Sequence, residues 1–113
     1  MKQAAFYDDM TFNPTKVTTK LILETDTSKE VRIMMASGLE MKKHQTSYPI
    51  TVHLLKGRIS FGVNDEKLQL KEGDIIALDA DIPHSLSALE DSVVRLTLSK
   101  NDPIQRVEKV ISL

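Results

Sequence analysis

GLEMKKHQTSYPITVHLLKG (residues 38–57) and GDIIALDADIPHS (residues 73–85) decide the fold of this chain of 113 residues. Each segment opens on a glycine; the first segment carries His44 and His53, and the second carries His84. After Pro49 the first segment alternates apolar residues with other residues, which is typical of a strand with one buried face. Both segments therefore predict β-strands bounded by turns, each with a histidine close to the apolar run.

Most of the remaining chain also repeats with the period of a β-strand. The alternation is clearest in KEVRIMMAS (29–37) and RISFGVN (58–64), and turn-forming residues separate the runs. The run DIIALD (74–79) is almost entirely apolar, which predicts a strand buried on both faces, with Ile75 and Ala77 available to line the interior. Many short strands with turns between them predict an all-β sandwich or barrel.

The last segment, NDPIQRVEKVISL (101–113), changes to helical spacing. Asp102 is a residue type that caps helices, and the proline after it is favoured in the first helical position. Ile104, Val107 and Ile111 then recur on one helical face, with another valine beside them. The pattern predicts a short closing helix on the outside of the sheets, with a final strand exchanged with a second subunit as the alternative.

The length and composition indicate one globular domain. We expect an N-terminal arm over residues 1–16, a barrel over 17–99 and the helix over 102–113. The net charge of −1, from 15 basic and 16 acidic residues, gives no basic surface for nucleic acid. No apolar run is long enough to span a membrane, and two aspartates interrupt the N-terminus where an export signal would be apolar. With no cysteine in the sequence, we expect a cytoplasmic protein.

Together the two opening segments resemble the two motifs of the cupin family. In that family a glycine, five residues and His-x-His precede a glutamate and a closing glycine, and a second motif runs from a glycine through Pro-x-Gly to a histidine and an asparagine. Gly38 and Gly57 match the glycines of the first motif, and Gly73 matches the opening glycine of the second. His44 matches the first histidine, and His84 matches the histidine of the second motif. The resemblance covers about residues 38–88 and implies an all-β double-stranded β-helix, or jelly-roll, barrel.

Cupins commonly hold one divalent metal ion with three histidines and a glutamate. Here Thr46 stands in place of the second histidine and Ile50 in place of the glutamate, so the resemblance implies only His44 and His84 as metal ligands. Imidazole suits manganese, iron, nickel, copper or zinc, but two ligands would hold any of them weakly. His53 is not expected to replace a ligand, because strand alternation places it on the face opposite Ile50. Packing or an interface with a second subunit is the expected role of His53.

The resemblance implies a barrel that binds a small molecule, and several functions stay open at this point. One hypothesis is a ligand-binding barrel with a weakly held divalent metal on the two histidines; if such a barrel is an enzyme, the resemblance implies isomerase or oxygenase chemistry. A second is a metal-free binding or sensor module without catalysis, and a third is a protein whose dimer is its function. A homodimer is expected under all three, and the residues do not decide between enzyme and binding protein. The expected pocket residues are Thr46, Tyr48, Ile50, Val52 and Phe61.

Overall fold

The computed structural model of the chain describes residues 1–111, and of Ile111 it describes the backbone alone. The last two residues of the expected helix, 112 and 113, therefore lie outside the described part. Within that part, no helix combines the length and apolar character needed to cross a membrane. The elements are β1 (Thr18–Glu24), β2 (Ser28–Met35), β3 (Glu40–His44), β4 (Ile50–Lys56), β5 (Arg58–Val63), β6 (Glu66–Lys71), β7 (Ile75–Leu78), β8 (His84–Ala88), β9 (Ser92–Ser99) and α1 (Ile104–Ile111).

The strands form two antiparallel sheets that enclose one core. One sheet has the order β1-β2-β9-β4-β7, and the other has the order β3-β8-β5-β6. Consecutive strands repeatedly pass from one sheet to the other, as in a jelly roll. This architecture, closed by a single short helix within the described residues, confirms the all-β barrel predicted from the sequence.

Alternation along the strands determines which side chains fill the barrel. In β2, Val31, Ile33 and Met35 are buried at 2% exposure or less, and they share the inner face. In β7 the prediction was wrong, because Ile75 is 63% exposed and Ala77 is also exposed. The strand lies at the edge of its sheet and has one open face. Because side chains alternate along it, Ile75 and Ala77 point to that open face and Leu78 points inward.

Helix α1 lies elsewhere than the sequence predicted. We expected it on the outside of the sheets, but Val107 is 1% exposed and lines a cavity between the two sheets. Ile104 and Val110 pack against the same core, so the apolar stripe of the helix faces the barrel interior. The described part of the segment is a helix that packs against β3 and β1 of its own chain, and not a final strand. The helix therefore covers one end of the barrel.

The segment before β1 is fastened to the outer face of the larger sheet. Arg32 lies on that face and is 4% exposed. Its Nη1 donates hydrogen bonds to the backbone carbonyl oxygens of Phe6 and Asp8, each at 2.8 Å. At the edge of this contact the Lys56 ammonium lies 5.0 Å from the ring centroid of Tyr7. The N-terminal segment thereby covers part of the sheet that would otherwise face solvent.

Gly57 occupies the corner where the chain leaves β4 in one sheet and enters β5 in the other. Its φ of +92° lies in the left-handed region, and a Cβ atom there would press on Ser92 Oγ and the Asp91 carbonyl. Gly73 has a similar φ of +91°, but a Cβ atom there would meet nothing within 4 Å. An added side chain would therefore meet backbone strain at both glycines, but steric overlap at Gly57 alone of the two.

We expect Gly57→Ala to destabilise the fold more than Gly73→Ala. Backbone strain alone should cost Gly73→Ala about 1–2 kcal/mol. Overlap with the Ser92 turn should add a further ~1–3 kcal/mol in Gly57→Ala. Urea unfolding of both variants measures the difference, and equal destabilisation would contradict the close packing at Gly57.

Candidate functional site

The pairing of β3 with β8 brings the two motif histidines together. His44 is the direct cross-strand partner of His84, and their ring centroids lie 4.3 Å apart. Between Met41 and His44 the strand β3 advances three residues while β8 advances two, which is a β-bulge. The extra residue lets Met41 and His44 both face the interior, although strict alternation would turn one of them outward.

Backbone hydrogen bonds fix the tautomer of both rings. The Nδ1 atom of His44 lies 2.7 Å from the Lys42 carbonyl oxygen, and Nδ1 of His84 lies 2.9 Å from the Ile82 carbonyl oxygen. A carbonyl oxygen only accepts hydrogen bonds, so each Nδ1 must carry the proton. Each neutral ring therefore keeps a lone pair on Nε2.

Burial keeps both rings neutral near pH 7. It lowers the pKa of His44 from 6.5 to about 4, an effect that the neighbouring His84 and Arg106 reinforce and the hydrogen bond to Lys42 opposes. Burial also lowers the pKa of His84, and the Arg106 guanidinium adds to that effect. The site therefore presents two neutral hydrogen-bond acceptors.

The two histidines line a small cavity inside the barrel. Its volume is about 10 Å³, which is room for no more than about one water molecule. The Phe61 ring stacks on His84, with 5.8 Å between the ring centroids, and holds it against the core. The other lining residues are mainly apolar and come from both sheets and from α1: Ile33, Met41, Ile50, Val52, Leu86, Val94, Leu96, Arg106 and Val107.

A buried carboxylate beside this cavity joins the β3–β4 loop to the helix. Asp102 is fully buried, and its carboxylate accepts a hydrogen bond from Thr46 Oγ1 at 2.9 Å. It also accepts two hydrogen bonds from the Arg106 guanidinium, from Nε at 2.7 Å and from Nη2 at 2.9 Å. The side chain of Asp102 thus binds two side chains rather than capping the backbone of α1 as expected. We call Thr46, Asp102 and Arg106 the latch.

The donor set at this site does not fit a resident metal ion. Thr46 donates its hydroxyl proton to Asp102, and the Asp102 carboxylate is occupied by Thr46 and Arg106. Ile50 has no ligand atom, and the Arg106 guanidinium lines the same cavity as the histidines. Across residues 1–111, no group of three histidine or acidic residues is arranged to hold a metal ion. Only the two imidazoles are left as donors at this site.

The structure separates the expected pocket residues into two sets. Ile50 and Val52 line the cavity with the histidines. Thr46 is buried in the latch, Tyr48 is half-buried in the β3–β4 loop, and Phe61 lies behind His84. His53 is half-buried on the outer face, beside Arg95 and Ile75 in the sheet register.

The sequence pattern did not predict that Arg106 lines the cavity or that the Asp102 carboxylate is buried beside it. The available signal was their spacing, because an acidic residue and an arginine four positions apart on a helix lie close together. That spacing occurs on many exposed helices, so it did not point to a cavity. The contact with Thr46, 56 residues away, has no local signature.

Comparisons with known proteins agree on the fold. A family model described as "Cupin domain" matches residues 31–99. Similar solved structures include KdgF from Halomonas sp. (22% identity, TM-score 0.71, covering 77% of this chain and 82% of that one) and an RmlC-like cupin protein from Desulfovibrio desulfuricans (20%, 0.78, 88% and 97%). A conserved protein of unknown function from Streptococcus pyogenes, SPY1581, is also similar (19%, 0.69, 91% and 98%). A search of curated proteins finds no match.

The lowered pKa values predict that acid weakens the fold through these histidines. Between pH 6.5 and about 4 the unfolded chain binds a proton on His44 that the folded chain does not bind. The free energy of unfolding should therefore fall as the pH falls through that window, and the contribution should be constant above 6.5.

Urea unfolding of wild type and His44→Asn across this window measures the effect. The asparagine side chain would keep a donor for the Lys42 carbonyl but would not titrate. The difference in stability between the two proteins should change with pH in favour of wild type as the pH rises. A difference that is independent of pH from about 4 to 6.5 would contradict the assignment.

Proposed function

Because this chain belongs to the cupin domain family, whose model matches residues 31–99, we propose that its barrel binds one small molecule at the His44–His84 pair without a resident metal ion. The observation that carries the proposal is the pair itself, two neutral imidazoles held against each other inside an apolar barrel. Polar groups that converge in an apolar cavity are the usual form of a small-molecule site.

The protonation state of the histidine pair indicates which hydrogen-bonding groups the ligand must carry. With Nδ1 committed to backbone carbonyls, each Nε2 accepts a hydrogen bond and cannot donate one. The ligand must therefore bring O–H or N–H groups to the histidines, while Ile50, Val52 and Leu86 contact a compact apolar skeleton. Small hydroxylated or amino compounds meet both requirements.

A barrel with a weakly held divalent ion on His44 and His84 is the second candidate. One observation favours it: histidines that bind metals usually donate their other ring N–H to a backbone carbonyl or carboxylate, as both rings do here. Manganese, iron, nickel, copper or zinc would suit imidazole ligands. The nearby Arg106 guanidinium and the lack of a third ligand among the described residues favour the metal-free proposal.

A homodimer formed through the outer face of the larger sheet is also part of the proposal. Ile75 is 63% exposed there and neighbours His53 in the register of β4 and β7. An exposed apolar side chain beside a half-buried histidine is compatible with a contact surface.

Elemental analysis separates the two candidates. Tagless protein purified without chelator should contain no stoichiometric transition metal, and excess Zn²⁺ or Ni²⁺ should not raise its melting temperature. The reason is that two neutral ligands beside a guanidinium bind a cation weakly. A near-stoichiometric metal that is lost in His44→Ala would overturn the metal-free proposal in favour of the second candidate.

Ligand binding should depend on both histidines. A compound from a library of small polyols, hydroxy acids and amino alcohols that binds wild type should stabilise it by about 2.7 kcal/mol at roughly 100 times its Kd. Thermal unfolding of His44→Gln and His84→Gln should show this stabilisation reduced or lost, while His53→Gln on the outer face should keep it. Equal stabilisation of all four proteins would place the ligand elsewhere.

A further inference from the structure

We propose that helix α1 is a built-in closure of the barrel, and that the latch of Thr46, Asp102 and Arg106 controls access to His44 and His84. The inference rests on the proposed function, because it concerns how a ligand reaches that same site. In the closed state the helix and the latch occupy the space next to the histidines, so a ligand enters only when α1 moves away.

The cavity beside the histidines is too small for an organic ligand while α1 is in place. With α1 in place, about 10 Å³ remains beside the two imidazoles, and Arg106 and Val107 form part of its wall. No molecule larger than about one water fits this space. His84 is buried and His44 is half-buried, so a small organic ligand can occupy the space between the two rings only after the wall supplied by the helix has moved.

Side-chain contacts rather than sheet pairing hold the helix against the barrel. Val107 is buried in the core, and Ile104 and Val110 pack against it from the same stripe. At the N-terminal end, Lys29 Nζ donates to the Asp102 carbonyl oxygen at 3.1 Å. In the part of the chain that the structure describes, α1 pairs with no strand of either sheet, so moving the helix breaks side-chain contacts and leaves the strand pairing of the barrel in place.

Thr46 links the helix segment to the β3–β4 loop beside the histidines. It stands where the family motif has its second histidine, and it is 5% exposed. Its hydroxyl both donates to Asp102 and accepts a hydrogen bond from the Tyr48 backbone N–H at 3.2 Å. The residue that replaces a metal ligand is thus the residue that ties the β3–β4 loop to the helix, which makes it a positioning residue for the closed state.

The experiment measures the reactivity of each histidine with diethyl pyrocarbonate, which modifies accessible neutral imidazoles, in full-length protein by site-resolved mass spectrometry. Thr46→Val keeps the shape and removes the hydroxyl, and Thr46→Ser keeps the hydroxyl as the matched control. A hydrogen bond to a buried carboxylate is strong enough that its loss should raise the open population, and the modification rate of the buried His84, about tenfold. The rate of His44, which is half-buried in the closed state, should rise less. Thr46→Ser should react like wild type, and His53 should be unchanged in all three proteins.

A modification rate of His84 that is the same in Thr46→Val and in wild type would overturn the latch. A parallel rise at His53 would show general loosening of the fold, and would overturn it as well. Wild-type hydrogen exchange gives a test without substitution: α1 amides should exchange through an opening that leaves β4 and β9 protected. Exchange of α1 only by global unfolding would contradict the closure. None of these measurements uses a ligand. They can therefore contradict the closure by α1 without contradicting ligand binding at the histidines, and the ligand-binding experiment can fail without contradicting the closure.

Discussion

The cross-strand pairing of His44 with His84 is the constraint on which the rest of the site depends. Direct partners in an antiparallel pair project from the same face of the sheet, so β3 and β8 hold the two rings next to each other on the inner face. The bulge in β3 turns His44 inward, and backbone carbonyls hold both rings in one tautomer. The barrel thereby presents two neutral acceptors in an apolar space, set by the backbone rather than by flexible side chains.

The buried carboxylate of Asp102 organises the other half of the site. A charge without solvent is costly unless its oxygens are hydrogen-bonded, and Thr46 and Arg106 supply three hydrogen bonds to it. Such a network adds little net stability compared with apolar packing, but it permits few arrangements of its members. Its effect is therefore to fix where α1 lies, which places Arg106 beside the histidines and reduces the cavity to the volume of about one water molecule.

The sequence predicted the fold because glycine spacing and strand alternation are local patterns that the barrel uses directly. Gly57 is needed at a corner of the chain, and the alternating run 29–37 forms a strand whose Val31 and Ile33 face the core. The prediction of individual side-chain positions failed where the local sequence pattern does not determine them. The apolar run in β7 has no periodicity, so Ile75 was placed on the wrong side. In the site, the motif positions indicated His44 and His84, but Asp102 looked like a helix cap because its partner Thr46 is distant in sequence.

The most direct test is the tautomer of the buried His84 and of the half-buried His44. A long-range ¹H–¹⁵N correlation spectrum of uniformly labelled protein at neutral pH, assigned with single histidine variants, reports which ring nitrogen carries the proton. We expect His44 and His84 both to be neutral, with the proton on Nδ1 and a free lone pair on Nε2. A protonated Nε2 in either ring, as the other tautomer or as imidazolium, would contradict this expectation.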